Sequence, residues 1–346
     1  MRVIIANTPD EGLTSGLKAL LFEGQNVRPR GAETLEFPTP VTTVYPDPRQ
    51  RVIFNEVRNA NPFFHMMEAL WILAGREDVA WLKIFNRKIG DYSDNGVTFH
   101  APYGKRIAGQ IDRVVDLLRR DPDSRRAVLQ IWDHNRDLGK DSLDIPCNDL
   151  VFLKIRGGRL NMTVSCRSND IVWGCYGANV VQFSMLHEYL ANRLYVDVGT
   201  YNQVSDSYHA YTGARPGLYD IQLAGEQQVS RYSAHCRDTD TVSVQPTPLL
   251  QLRESPADFD ADLSLMFWLF DDPVRALRPP HHRPYRTTFF RYVVDPMMVA
   301  WCYHKDGDKP EALKLLARTR QLQIGAPYDW IQAGFEWVER ASHRSK

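Results

Sequence analysis

The chain has 346 residues, 43% of them hydrophobic, and its 42 basic side chains balance 42 acidic ones. A neutral chain of this kind has no global field to hold it on nucleic acid or an anionic membrane, so any anion site must be local. Its length and apolar content allow one or two substantial cores.

The N-terminus lacks a charged segment followed by an apolar one, and no apolar run approaches the ~18 residues that span a bilayer. The expected location is the cytoplasm. Five cysteines (Cys147, Cys166, Cys175, Cys236, Cys302) are scattered without a C-x-x-C pair, which argues against a disulfide framework and against zinc. Four of them are expected to be small buried apolar residues.

Taken along the chain, "NPFFHMMEALWILAG" (61–75) offers Asn61 as an N-cap, Pro62 at the first helical position and Gly75 at the exit, which predicts a helix between them. Glu68 lies one turn from Phe64 and near Trp71, so its carboxylate is expected in apolar surroundings.

"DIPCNDLVFLKI" (144–155) then places Cys147 behind Pro146 at the entrance to a predicted strand. After "RGG", Leu160, Met162, Val164 and Cys166 share one face while Asn161, Thr163, Ser165 and Arg167 share the other, which predicts a hairpin. "NVVQFSMLHEYLANRLYV" has helical spacing, with Asn179 at its start as a candidate cap. "DVGTYNQVSDSYHAY" returns to strand-and-loop character.

Beyond about residue 215 a polar stretch leads to a helix-like "ADLSLMFWLF", a basic Pro/His segment at 275–286, and predicted helices around 309–320 and 328–341. No internal repeat is visible.

One constellation stands out. Cys147, Arg125, Arg126, Arg167, Ser168, Asp170, Asn179, His209 and Tyr211 fall within about 85 residues. Each has a bland reading alone: a solvated arginine pair, a helix cap, a core histidine. Together a thiol, three arginines and a hydroxyl match a nucleophile beside an anion pocket, because guanidinium groups fork onto phosphate and a positive field favours thiolate.

"DSRRAVLQIWD", "DIPCND", "CRSNDIVWGCYGANVVQFSMLHEYLA" and "SDSYHAY" resemble, in order and spacing, the catalytic half of thymidylate synthases and their pyrimidine hydroxymethylase relatives. The N-terminal Glu68 helix and "APYGKR" (101–106) extend the resemblance over residues 26 to 212.

The resemblance implies an α/β (α+β) fold: a mixed, mostly antiparallel sheet with helices on one face, a sheet-mediated dimer, and extra C-terminal helices. It further implies a single domain over 1–346, with its recognisable core at 26–212 and a divergent helical extension at 215–346.

By the same resemblance Cys147 is the nucleophile that adds to C6 of the pyrimidine, so that C5 can attack the one-carbon unit of 5,10-methylenetetrahydrofolate, the cosubstrate. No metal is expected. Arg125 and Arg126 reach the phosphate of the partner subunit in an obligate homodimer, while Arg167 and Ser168 bind it within the chain. Either Arg28 or Arg30 corresponds to a loop arginine on the phosphate.

Asn179 pairs with the uracil edge, its amide offering both donor and acceptor. That alignment takes one extra residue in "GCYGAN"; without it Ala178 occupies the position. His209 and Tyr211 contact the sugar, Tyr103 helps remove the C5 proton, Asp170 accepts from the pterin, and Glu68 organises proton transfers at base and folate, its pKa raised by burial.

Three departures bear on the product. No tryptophan stands in "IFNRKIGDYSDNG", Asn148 replaces the family's His after the nucleophile, and the aliphatic tail of synthases is absent. A less sealed pocket favours capture by water. The expectation is therefore 5-hydroxymethyl-dUMP, which suits a viral pathway for modified bases in the host cytoplasm. The alternatives are reductive methylation to dTMP and a noncatalytic nucleotide- or RNA-binding relative; no DNA or membrane partner is expected.

Overall fold

Strand-forming segments from both ends of the first 211 residues meet in one sheet: β1 (Arg2–Ile5), β2 (Gln25–Val27), β3 (Thr34–Glu36), β4 (Val41–Tyr45), β5 (Val128–Gln130), β6 (Asn148–Arg156), β7 (Arg159–Asp170) and β8 (Asp197–Tyr211). The computed structural model describes residues 1–232, 242–271 and 283–343. The sheet runs β1-β4-β8-β7-β6-β5, with β3 paired to the far end of β8 and β2 to β3. Only β1/β4 and β7/β8 are parallel; the other pairings are antiparallel. The expected mixed, mostly antiparallel sheet is therefore present.

The predicted hairpin is β6 and β7, joined through Gly157 and Gly158, both at positive φ. Their lack of a Cβ permits this turn. Leu160, Met162, Val164 and Cys166 are buried as the alternation requires, while Asn161, Thr163, Ser165 and Arg167 are half-buried on the opposite face.

The first unit, residues 1–60 with 64–228, adds α1 (Pro9–Glu23), all but the first two residues of α2 (Pro62–Leu73), α3 (Val79–Phe85), α4 (Tyr103–Arg120), α5 (His134–Asp137), α6 (Asn179–Leu194) and α7 (Leu218–Gln227). Helix α1 starts where Thr8 accepts from the Glu11 N–H, with Pro9 at the first position. Helix α6 is almost wholly buried and packs on β7 and β8. Two of its polar interior groups have clear partners: the Arg51–Glu188 ion pair is buried, and His187 Nε2 bonds the Leu160 carbonyl at 2.6 Å.

The second unit, residues 61–63 with 229–346, contains α8 (Pro256–Phe270) and helices Asp295–Lys305, Lys309–Gln321 and Asp329–His343. The helices read from the C-terminal sequence are thus present. Of the Pro/His segment at 275–286, residues 275–282 lie outside the described residues, as does Cys236. Among the described residues no helix is long and apolar enough to cross a membrane, and no group of His, Cys, Asp or Glu could hold a metal.

One close approach fixes the site's geometry. A Cβ on Gly104, in the first turn of α4, would sit 2.0 Å from the Ile72 carbonyl oxygen at the end of α2. Only glycine lets α4, carrying Tyr103, lie against α2, carrying Glu68. Gly104→Ala is therefore expected to destabilise the fold by about 3 kcal/mol through backbone displacement. Denaturant unfolding measures this, and a midpoint equal to wild type would contradict it.

Candidate active site

Cys147 stands where β6 begins, half-buried, and two hydrogen bonds fix its backbone. Its N–H donates to Tyr103 Oη at 3.3 Å, and its carbonyl accepts from the Arg167 N–H at 2.9 Å. The Arg167 guanidinium donates to the carbonyls of Pro146, at 2.8 Å, and Ile145, at 3.1 Å, and lies 5.5 Å from the Trp132 ring centroid. In this structure Arg167 therefore braces the cysteine's approach to the strand. Its neighbour Asp149 is pushed up to about 6 by burial, against the opposing charge of Arg167.

A chain of amides runs inward from the cysteine. Asn148 donates to Tyr103 Oη at 3.2 Å and to Asn179 Oδ1 at 3.3 Å. Asn179 donates to Asn169 Oδ1 at 3.0 Å, and Asn169 donates to Ser205 Oγ at 2.9 Å. All the donors run one way, so each bond polarises the next. The Oδ1 of Asn148, at the head of this relay, is buried without a hydrogen-bond partner among the described residues.

Asn179 is consequently not a helix cap. Its backbone is already helical, at φ −62° and ψ −45°, and its side chain faces the thiol's neighbours. Within "GCYGAN" the chain kinks at Tyr176 and Gly177, where the helical winding breaks. Asn179, rather than Ala178, reaches Asn148.

Glu68 lies buried on α2 and accepts from Gln182 Nε2 at 2.7 Å. Burial lifts its carboxyl to about 7, and the Gln182 bond only partly offsets this. The apolar setting read from the helix wheel has the expected effect. Burial likewise raises the Tyr103 hydroxyl well above its usual value, with the Cys147 and Cys166 sulfurs adding to it.

Asp170 ends β7, its Oδ1 taking the N–H groups of Val172 (2.8 Å) and Trp173 (2.7 Å). Among the described residues its shielded Oδ2 makes no hydrogen bond of good geometry. Burial raises its pKa, opposed first by the Trp173 N–H and then by His209, its register partner on β8. His209 is buried, with Nδ1 3.1 Å from Ser207 Oγ, and its ring stands edge-on to that of Tyr211 at 5.7 Å. Ser168 is half-buried beside Ser207.

The arginines are not gathered here. Arg125 and Arg126 are exposed on the loop before β5, and Arg28 pairs with Glu33 on an exposed segment. The side chain of Arg30 lies outside the described residues. A polar cleft of about 540 Å³ shares Trp132 with the cysteine's surroundings, but none of the candidate residues lines it.

Several neighbours escaped the sequence reading. Gln182 sits three residues after Asn179, on the same helical face, a spacing that could have marked it. Asn169 breaks the hairpin's alternation by being buried one position out of phase. Arg58, buried, donates to the Val172 carbonyl at 2.8 Å and lies 4.3 Å from the Trp173 ring centroid; nothing in the local sequence announces it.

The thymidylate synthase family model matches residues 56–259. A deoxyuridylate hydroxymethyltransferase of Pseudomonas phage M6 is 38% identical over 352 residues, spanning 98% of this chain and 94% of that protein. The chain belongs to the thymidylate synthase family.

A further relative, a deoxyuridylate hydroxymethyltransferase of Bacillus phage SP01, is 41% identical over 211 residues, or 56% of this chain and 55% of the relative. Among solved structures, thermostable thymidylate synthase A from Bacillus subtilis matches with a TM-score of 0.52 at 22% identity, covering 64% of this chain and 86% of that one. At that identity the likeness shows the thymidylate synthase fold alone. The family named from the motifs is the family found, and its named relatives are transferases of one-carbon groups.

Proposed function

We propose that this thymidylate synthase family protein converts dUMP to 5-hydroxymethyl-dUMP with methylenetetrahydrofolate, through a covalent adduct on Cys147. The observation that carries the reading is the cluster itself: a half-buried thiol at a rigid strand entrance, a tyrosine hydroxyl on its backbone, a one-way amide relay beside it, and a carboxyl poised near neutrality. The end-to-end likeness to a phage enzyme named for this transfer supports the hydroxymethyl product over the methyl one.

In this reading Cys147 Sγ bonds to C6 of the uracil, and C5 becomes the carbon nucleophile. Glu68, interconverting near pH 7, holds and releases protons at the base. Tyr103 assists loss of the C5 proton, and Asn179 reads the uracil edge. His209 and Tyr211 contact the sugar. Arg167 and Ser168, with Arg28 or Arg30, bind the phosphate.

The shielded Oδ2 of Asp170 fits an N–H-rich ring, so Asp170 with Glu68 would hold the folate, which supplies the one-carbon unit when bound. Loss of the C5 proton and departure of tetrahydrofolate leave a methylene on C5; water adds to it to complete the hydroxymethyl group, and expulsion of the Cys147 thiolate from C6 frees the product. The exposed Arg125 and Arg126 would complete a partner's phosphate site in a homodimer formed through the open sheet face, where Thr163, Ser165, Thr200 and Asn202 are half-buried.

Mass spectrometry of the product from dUMP decides the reading. Addition of CH₂O supports it; addition of CH₂ replaces it with thymidylate synthesis. An unaltered dUMP pool with folded protein would leave a nucleotide binder.

Asn179→Asp is expected to shift preference toward dCMP, because a carboxyl suits the cytosine edge. The change also removes the donor to Asn169 Oδ1 and should cost about 1–3 kcal/mol of stability. Competition between dUMP and dCMP measures the shift, and an unaltered uracil preference would remove Asn179 from base recognition.

A further inference from the structure

The residues named for the reaction proposed above all lie in the first unit, and none is named in the helical second unit. Two helical stripes there face a common groove. Tyr292, Asp295, Val299 and Tyr303 recur at helical spacing along Phe290–Lys305, and Lys314, Leu315, Arg318 and Leu322 do so on and just past Lys309–Gln321. They enclose about 870 Å³, within the ~300–1,000 Å³ typical of small-molecule sites.

The groove carries surplus positive charge. Its two carboxylates are matched within it, Asp295 by Arg283 at 2.9 Å and Glu311 by Lys314 at 3.0 Å. Arg291 and Arg318 remain. Both are exposed; Arg291 reaches only the Tyr285 carbonyl, and Arg318 makes no ion pair among the described residues. Tyr285 also lines the groove: its ring is buried, and among the described residues its shielded hydroxyl makes no hydrogen bond of good geometry, with the Arg283 guanidinium as its charged neighbour. A shielded hydroxyl without a well-formed hydrogen bond in a cleft calls for a polar ligand atom.

We propose that this groove is a second ligand site, for a nucleoside phosphate, with Arg291 and Arg318 on the phosphate and the base against Tyr292 and Tyr303. Arginine forks suit phosphate oxygens, and tyrosine faces accept any base by stacking. An inorganic anion would use the cations alone and leave the aromatic wall without purpose. A groove of this volume holds one nucleotide rather than a strand.

The test is isothermal titration of the full chain with dUTP in the presence of one equivalent of dUMP, enough to fill the catalytic site but not a second one. One further equivalent of dUTP is expected to bind, and Arg291→Glu with Arg318→Glu should weaken it on the order of tenfold or more. Tyr292→Ala, at an exposed position, should weaken dUTP while leaving inorganic phosphate unchanged. Tritium release from [5-³H]dUMP should be unaltered in all these variants, which shows that the fold and first site are intact.

No dUTP binding beyond the dUMP site, or equal affinity in the double variant, would overturn the proposal. Equal binding of inorganic phosphate and dUTP would remove the nucleoside from it. Tighter binding of a single-stranded oligonucleotide than of dUTP, lost in the double variant, would replace the mononucleotide with a strand. None of these outcomes depends on which product the first site makes.

Discussion

Cys147→Ser protein is expected to keep its dUMP affinity and to lose tritium release from [5-³H]dUMP by on the order of a thousandfold or more, since a hydroxyl without an activating base is a far poorer nucleophile than a thiolate. The backbone at this position is held by Tyr103 and Arg167 through its N–H and carbonyl, neither of which the substitution removes. Loss of turnover with retained binding therefore reports on the sulfur. Unchanged turnover would remove the covalent mechanism.

Glu68→Gln carries the second large effect. A proton-transfer group contributes roughly 10²–10⁴ in rate, and that much activity is expected to disappear. The pH–rate profile of the wild type should show an ionisation near 7, following the raised Glu68 carboxyl, and the variant's profile should lack it. A profile identical to wild type would exclude Glu68 from proton transfer.

The same carboxyl has a signature in stability. Its folded value of about 7 exceeds the ordinary 4.5, so the folded state holds the proton more tightly than the unfolded chain. Below 4.5 both states are protonated and nothing is lost. As pH rises from 4.5 through 7, wild type loses about 3 kcal/mol relative to the variant. Denaturant midpoints at pH 5 and pH 8 should therefore converge in Glu68→Gln, and an unchanged pH dependence would contradict the buried carboxyl.

What the sequence revealed and what it hid follow from range. The β6–β7 hairpin and α6 repeat their apolar residues at a fixed period, and the turn glycines mark their ends, so local pattern was sufficient. Helix α1 went unread although Thr8 and Pro9 open it, and β1 to β4 are too short for alternation to register; they become strands only through pairing with one another and with β8. The fifteen residues of β8 read as part loop because Gly199, Asn202 and several serines interrupt their apolar pattern.

The site divides similarly. Cys147, Glu68, Tyr103, Asn179 and Asp170 were singled out as candidates through the motifs that carry the family resemblance. Their partners Gln182, Asn169 and Ser205 were not, because an amide or hydroxyl acquires its role only from what folding sets opposite it. Arg125 and Arg126 illustrate the opposite limit: a single chain leaves them in solvent, and their proposed task needs a second one.

Asn179 and Gln182 project from adjacent turns of one buried, rigid rod, one toward the amides beside the thiol and the other onto the Glu68 carboxylate. On the proposed reading, any tilt of that rod would disturb base choice and proton handling together. A lineage changing its preferred base while keeping its chemistry is thus confined to exchanging side chains in place, without moving the scaffold beneath them.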